Sequence, residues 1–310
     1  MKNKKIFISS IGIILAALLI SIFALVPIDK HHDEYSKNWM SHVEDNTKIK
    51  DMSLPGTHDS GALHSIADVA GKCQDISIAT QLDIGVRFLD LRLQLVNNEF
   101  VLVHSFVQQN LTFETVLNDL STFIKENSSE FIIISIKEEA SSVNSNLWFD
   151  EALHRDLIKY SDVISLDNRL PETLGEARGK IFVLSRCNTV FGIPAYYGWA
   201  DDTSFTLDDM YIQDNYNIQD IEEKKNDILN TIEYANTNSD KLVLNFTSCY
   251  LDPGFPPSYA GTAALEINPW FESTIKNNND KLGIIVADFI TENLSKVIYM
   301  RNVKWELYLK

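Results

Sequence analysis

Short apolar runs, each carrying polar or charged residues within it or near its end, recur along this chain. RFLDLRLQL (87–95), VLVHS (101–105), FIIISIK (131–137), IFVLSR (181–186) and LGIIVADF (282–289) are rich in Ile, Leu, Val and Phe. Runs of this length and composition read as buried strands. Strands are expected near 50–54, 86–95, 131–137, 181–186, 210–214, 242–247 and 282–288, with a hairpin strand near 99–104. Between them, segments 111–128 and 218–237 repeat their apolar residues at helical spacing and belong on the outside. The alternation predicts an α/β protein with a TIM-like (β/α) barrel.

The polar residues that close the runs matter as much as the runs. In a parallel barrel the C-terminal strand ends converge on one face, where such folds keep their active sites. That face would collect His104, Lys137, Arg186 and Asp288, together with His58 from SLPGTHDSG (53–61). Asp90 and Arg92 lie two residues apart, so on a strand they point the same way. Two histidines away from any cysteine or histidine ligand cluster suggest a general base and a general acid rather than a metal cage. Each needs an orienting group on its second ring nitrogen, which Asp90 and Asp288 can supply. Arg92 offers planar, bidentate donors to a phosphate oxygen. Taken singly, each residue has a plainer reading as a turn, a helix cap or a solvated strand end. Their conjunction in one ordered set favours chemistry on a phosphodiester.

The motifs SLPGTHDSG, GVRFLDLRLQL, the VHS histidine, IISIKEE, IFVLSR, YIQDNYN and VADF, in this order, resemble those of bacterial phosphatidylinositol-specific phospholipases C from about Lys48 to Asp288. The resemblance implies that the barrel is distorted or incompletely closed. It further implies that His58, held by Asp288, removes the proton from the inositol 2-hydroxyl, which attacks the neighbouring phosphorus. His104, paired with Asp90, would protonate the departing diacylglycerol oxygen, and Arg92 would stabilise the charged phosphate. Inositol 1,2-cyclic phosphate is the implied product, opened slowly by water in a second turnover. Lys137, Arg186, Asp214 and Tyr216 match inositol-binding positions, and Asp59 matches a residue close to the phosphate. The cation at position 92 stands where calcium-dependent relatives place a metal ligand, so neither metal nor other cofactor is expected.

The first 26 residues, a basic MKNKK followed by a long apolar run, read as a signal peptide or an N-terminal membrane anchor. Residues 27–310 would form one catalytic barrel, secreted or extracellular, with anchoring as the alternative. Three widely spaced cysteines imply no disulfide framework. A net charge of −16 argues against nucleic acid and against electrostatic docking on anionic lipid. The expected partner is a phosphatidylinositol-containing membrane surface, met by a monomer with no obligate protein partner. Contact would fall to apolar side chains at the rim, with Phe255, Tyr259 and Trp270 in the loop 250–270 as candidates. The short segment 65–75 lacks the tryptophan that relatives present to lipid and offers only Ile66, Val69 and Ala70. Two other readings are a metal-dependent glycerophosphodiester phosphodiesterase and a non-catalytic phosphoinositide-binding barrel. The sequence leaves open whether free phosphatidylinositol or the glycosylated anchor of surface proteins is preferred.

Overall fold

Period-2 alternation sorts the strand side chains into two cores. The computed structural model describes residues 34–65, 71–105, 107–238, 240–251, 260–276 and 279–303. The chain divides into residues 1–34 and 35–310, and the body described is the second. Its first strands are β1 (Leu54–Thr57), β2 (Phe88–Val96), β3 (Glu99–His104), β4 (Val107–Thr112) and β5 (Phe131–Glu138). There follow β6 (Ile164–Ser165), β7 (Lys180–Arg186), β8 (Ile193–Pro194), β9 (Ser204–Leu207) and β10 (Met210–Gln213). The last are β11 (Asn217–Ile218), β12 (Leu242–Phe246), β13 (Tyr250–Leu251) and β14 (Ile284–Ala287).

Parallel pairing runs β6-β7-β5-β2-β1-β14-β12-β10, and β9 adds antiparallel to β10. Among the described residues no ladder joins β9 or β10 back to β6 or β7, so the barrel is incompletely closed, as expected. Strands β3 and β4 leave the wall as a hairpin on the outer half of β2.

Inward positions low in the wall are mostly apolar. Leu54, Phe88, Phe131, Ile133, Phe182, Leu184, Ile212, Leu244, Phe246, Ile284 and Val286 share one buried cluster. The alternate residues Leu89, Leu91, Ile132, Ile134, Ile136, Ile181, Val183 and Ile285 pack outward against the helical layer. That layer includes Phe113–Glu126 and Ile221–Thr237, close to the expected helices. Thr112 caps the first through its hydroxyl, which accepts from Thr115 N at 3.2 Å.

The expected strand at 50–54 is displaced. Residues Ile49–Asp51 form a 3-10 turn, and the strand begins at Leu54, where side chains first face the barrel interior. The apparent loop 250–270 also differs, because Ala260–Ile275 is a helix with Pro269 inside it. Burial of Ala263, Ala264, Ile267 and Phe271 outweighs the local breakers Gly261 and Pro269. Phe255, Tyr259, Ile66, Val69 and Ala70 lie outside the described residues, as does the leader.

A buried ion pair stands at the base of β2. Arg87 and Glu130 are both fully buried, with Arg87 Nη2 2.8 Å and Nε 2.9 Å from Glu130 Oε2. Arg87 also donates to the carbonyls of Leu82, Val86 and Lys37, and Glu130 accepts from Met40 N. Truncating one partner leaves a buried charge unsatisfied, which costs about 3–5 kcal/mol. Arg87→Met should lower stability in urea by about that much, and adding Glu130→Leu should recover part of the loss. A loss below about 1 kcal/mol would show that water reaches the pair.

Candidate active site

The inward positions that are apolar low in the barrel become polar near its C-terminal end. On β2 the series runs Phe88, Asp90, Arg92, and on β5 it runs Ile133, Ser135, Lys137. On β7 it runs Leu184, Arg186, and beyond β1 and β14 the next inward positions are His58 and Asp288. The motif around His58 is built for a close turn. A Cβ on Gly56 would lie 3.0 Å from both Phe88 Cβ and Ile285 O. Thr57 Oγ1 donates to Gln81 Oε1 at 2.8 Å, and Gln74 Nε2 donates to the carbonyls of His58 and Ala287. Asp59, Ser105 and Phe289, each directly after a candidate catalytic residue, have positive φ of 38°, 55° and 47°. Such conformations are costly away from glycine and persist where surrounding contacts enforce them.

His58 Nδ1 donates to Asp288 Oδ1 at 2.8 Å, the expected pair. Its Nε2 accepts from Arg92 Nη2 at 2.6 Å. Arginine can only donate, so this contact belongs to a neutral imidazole with its proton on Nδ1. Burial is the largest influence and pushes the His58 pKa down, as does Arg92, but the charge and hydrogen bond of Asp288 together with the charge of Asp90 make the net shift upward. Protonation of His58 therefore requires Arg92 to move off Nε2.

Asp90 is fully buried and organises the cations. Arg92 Nε donates to its Oδ2 at 3.2 Å, Arg186 Nη1 to its Oδ1 at 3.2 Å, and Asp59 N to its Oδ2 at 3.2 Å. Burial would raise its pKa, yet Arg92 and Arg186 hold it well below the usual carboxylate range. The expected pair of His104 with Asp90 is not formed. Strand β3 returns antiparallel to the outer half of β2 and delivers His104 beside Asp59, with His104 Nδ1 3.6 Å from Asp59 Oδ2. Asp90 lies deeper, with both oxygens occupied. Burial and then the charges of Arg92 and His58 lower the His104 pKa.

The remaining predicted residues line the same cavity of about 1320 Å³. Lys137 Nζ meets Glu139 Oε2 at 2.8 Å, and Glu139 Oε1 lies 3.5 Å from Arg92 Nη1. Arg186 Cζ lies over the Trp199 ring, 3.7 Å from its centre, and Trp199 Nε1 donates to Asp214 Oδ2 at 3.0 Å. Tyr216 donates to Asp201 Oδ1 at 2.7 Å. Trp270 is placed differently. Its ring is partly buried against the outer core, 5.6 Å from Lys225 Nζ, and is not among the residues lining the cavity.

Glu139, Trp199 and Asp201 belong to the site and were missed in the sequence. Glu139 lies two residues after Lys137, so the period-2 rule that pairs Asp90 with Arg92 would have found it. Asp201 stands in an acidic pair with Asp202, a pattern that by itself fits a solvated surface. Trp199 sits in an irregular stretch with no periodic signal, and only the folded chain brings it beneath Arg186.

Residues 52–187 match the family described as phosphatidylinositol-specific phospholipase C, X domain. A 1-phosphatidylinositol phosphodiesterase of Listeria monocytogenes is 27% identical over 278 residues, covering 86% of this chain and 85% of the relative. One from Staphylococcus aureus is 27% identical over 312 residues, covering 92% of each. A solved structure of the S. aureus phosphatidylinositol-specific phospholipase C, concerned with modulation of its membrane binding, superposes with a TM-score of 0.75 at 25% identity. It covers 88% of this chain and 100% of the solved one. The open parallel barrel thus has its counterpart in a solved bacterial phospholipase C. Residues 52–187 match the X domain of phosphatidylinositol-specific phospholipases C, and the chain is similar over most of its length to bacterial 1-phosphatidylinositol phosphodiesterases.

Asp59 provides a pH test of this geometry. Burial raises its pKa from 3.8 to about 7, against the opposing pull of Arg92 and His58. The folded state therefore holds the proton more tightly than the unfolded state, and stability is lost as pH rises from 3.8 through about 7. Asp59→Asn removes that loss. The thermal midpoint of the variant should exceed that of the wild type above pH about 7, with the difference vanishing below 3.8. A difference independent of pH would show that Asp59 stays ionised in the folded protein.

Proposed function

We propose that the protein is a phosphatidylinositol diacylglycerol-lyase that works by metal-independent acid–base catalysis. The observation that carries this reading is the flanking of one guanidinium by two histidines, each beside its own carboxylate. His58 stands with Asp288 and His104 with Asp59, and Arg92 lies between them. When the phosphate of the substrate takes the Arg92 fork, His58 Nε2 is released to accept the proton of the inositol 2-hydroxyl. The hydroxyl oxygen attacks phosphorus, the bond to the diacylglycerol oxygen breaks, and His104 supplies that oxygen with a proton. Arg92 offsets the charge growing on the non-bridging oxygens. The diester anion also offsets the Arg92 charge that lowers the His104 pKa, so binding favours the protonated acid. Lys137, Arg186 and Asp214 line the cavity and would hydrogen-bond ring hydroxyls, with Tyr216 covering the ring.

Phosphorus NMR of phosphatidylinositol with the leaderless protein in excess EDTA should show inositol 1,2-cyclic phosphate forming first and opening slowly. His58→Ala and His104→Ala should each reduce turnover by roughly a thousandfold or more. A nitrophenyl leaving group needs little protonation, so it should partly rescue His104→Ala and leave His58→Ala inactive. Loss of wild-type activity in EDTA with recovery in calcium would instead support a metal-dependent phosphodiesterase.

We further propose that the protein acts outside the cytoplasm on a membrane surface, exported by the leader at residues 1–26. Among the described residues no helix is long and apolar enough to cross a membrane. Around the cavity mouth Leu265 is 81% exposed, Tyr196 47% and Tyr250 40%. These side chains replace Trp270 in the proposed lipid contact, alongside Phe255 and Tyr259. Each could contribute about 1.5–3 kcal/mol if fully removed from water. Leu265→Ala with Tyr196→Ala should weaken vesicle binding and bilayer activity but spare hydrolysis of soluble inositol cyclic phosphate. Equal loss on both substrates would place these residues in support of the site rather than at the lipid.

A further inference from the structure

One side chain at the centre of the site has no part in the chemistry above. Cys73 is fully buried, a free thiol, and reaches the cavity beside His104. Its Sγ lies 3.6 Å from His104 Nδ1, which in turn lies 3.6 Å from Asp59 Oδ2. The three atoms fall within 4.8 Å of one another. Asp59 Oδ2 is buried and has no hydrogen-bond partner. A buried carboxylate oxygen left in that condition is costly and is open to a ligand.

We propose that Cys73, His104 and Asp59 form a site for a thiophilic dication of the zinc type, and that its occupancy closes the active site. Zinc takes sulfur at about 2.3 Å and nitrogen or oxygen at about 2.0–2.2 Å in a tetrahedron. Ligand atoms in that arrangement stand roughly 3.3–3.6 Å apart; the two spacings to His104 Nδ1 meet this, and Cys73 Sγ and Asp59 Oδ2 lie within 4.8 Å of each other. The backbone of Cys73 is held at both ends, its N–H donating to Ala62 O and its carbonyl accepting from Phe289 N. The sulfur is thereby fixed relative to the end of β14. Coordination sends the Cys73 proton to solvent, and thiolate plus carboxylate then balance the charge of the cation. The opposing charge is Arg92, whose Nε is 3.8 Å from Asp59 Oδ2, but Asp90 and Glu139 also lie against that guanidinium. A second set, His58, Cys73 and Asp288, is also close enough to hold an ion. It suits a cation less, because His58 already uses Nδ1 on Asp288 and Nε2 on Arg92.

Occupancy would take from His104 the nitrogen that faces Asp59 and would place a dication against Arg92. Magnesium and calcium prefer all-oxygen ligands and should not compete. Binding can be measured whether or not the proposed activity is correct; only the inhibitory consequence rests on that activity. Zinc should bind the EDTA-treated wild-type protein with one ion per chain, and zinc-edge X-ray absorption should show one sulfur at about 2.3 Å with nitrogen or oxygen neighbours. Cobalt should bind with a thiolate charge-transfer band that Cys73→Ser abolishes. Zinc should inhibit turnover reversibly, and Cys73→Ser should keep metal-free turnover while needing roughly tenfold more zinc or more for half-inhibition. A bound zinc with no sulfur neighbour overturns the site, and this arm needs no variant to fold. Equal zinc sensitivity of wild type and Cys73→Ser, or sulfur-bound zinc without loss of turnover, overturns the inhibitory role.

Discussion

The site depends on Asp90, a carboxylate sealed in the barrel and kept ionised by two arginines. Through one side chain it fixes Arg92 on its own strand, Arg186 two strands away and the backbone of Asp59 on the turn after β1. A buried carboxylate without cations would take up a proton, and buried arginines without carboxylates would be expelled toward water. Each is held in place only because the others are present. The same set joins the part of the site that would face phosphate, Arg92, to the part that would face a polyol, Arg186 over Trp199 beside Asp214.

The two histidines receive opposite treatment from this arrangement. Asp288 raises the pKa of His58 against the effect of burial, while burial, Arg92 and His58 lower that of His104. For a base and an acid acting together, these directions run against the proton positions that the reaction needs in the free protein. Arg92 resolves the conflict on one side by donating to His58 Nε2, which keeps that ring neutral. In the proposed mechanism an anionic diester would resolve it on the other by screening Arg92 from His104. In that mechanism the guanidinium would have three linked tasks: holding the base neutral, binding the phosphate and releasing the base when the phosphate arrives.

Most of the barrel wall and half of the site were legible because both follow from period 2. A strand buried on both faces must be apolar throughout except where its inward positions leave the packed layers, and RFLDLRLQL changes character at Asp90 and Arg92 for that reason. The same rule located His104, Lys137, Arg186 and Asp288, and applied once more it would have located Glu139. It failed where burial overrode local signals. Ala260–Ile275 folds as a helix despite its glycine and proline, because an apolar face is available for it to cover.

What the sequence determined by itself is the set of chemical groups, the strands that carry them and the barrel end at which they gather, since these depend on residue type and short spacing. Which groups meet was decided only by the tertiary structure. Asp59 rather than Asp90 lies beside His104, Asp201 receives the Tyr216 hydroxyl, and Cys73 lies against the candidate acid. These meetings join residues 15 or more positions apart across separate strands and turns. They depend on strand order, on the offset of the β3 hairpin along β2, and on competition among buried charges for partners, none of which is encoded in local periodicity.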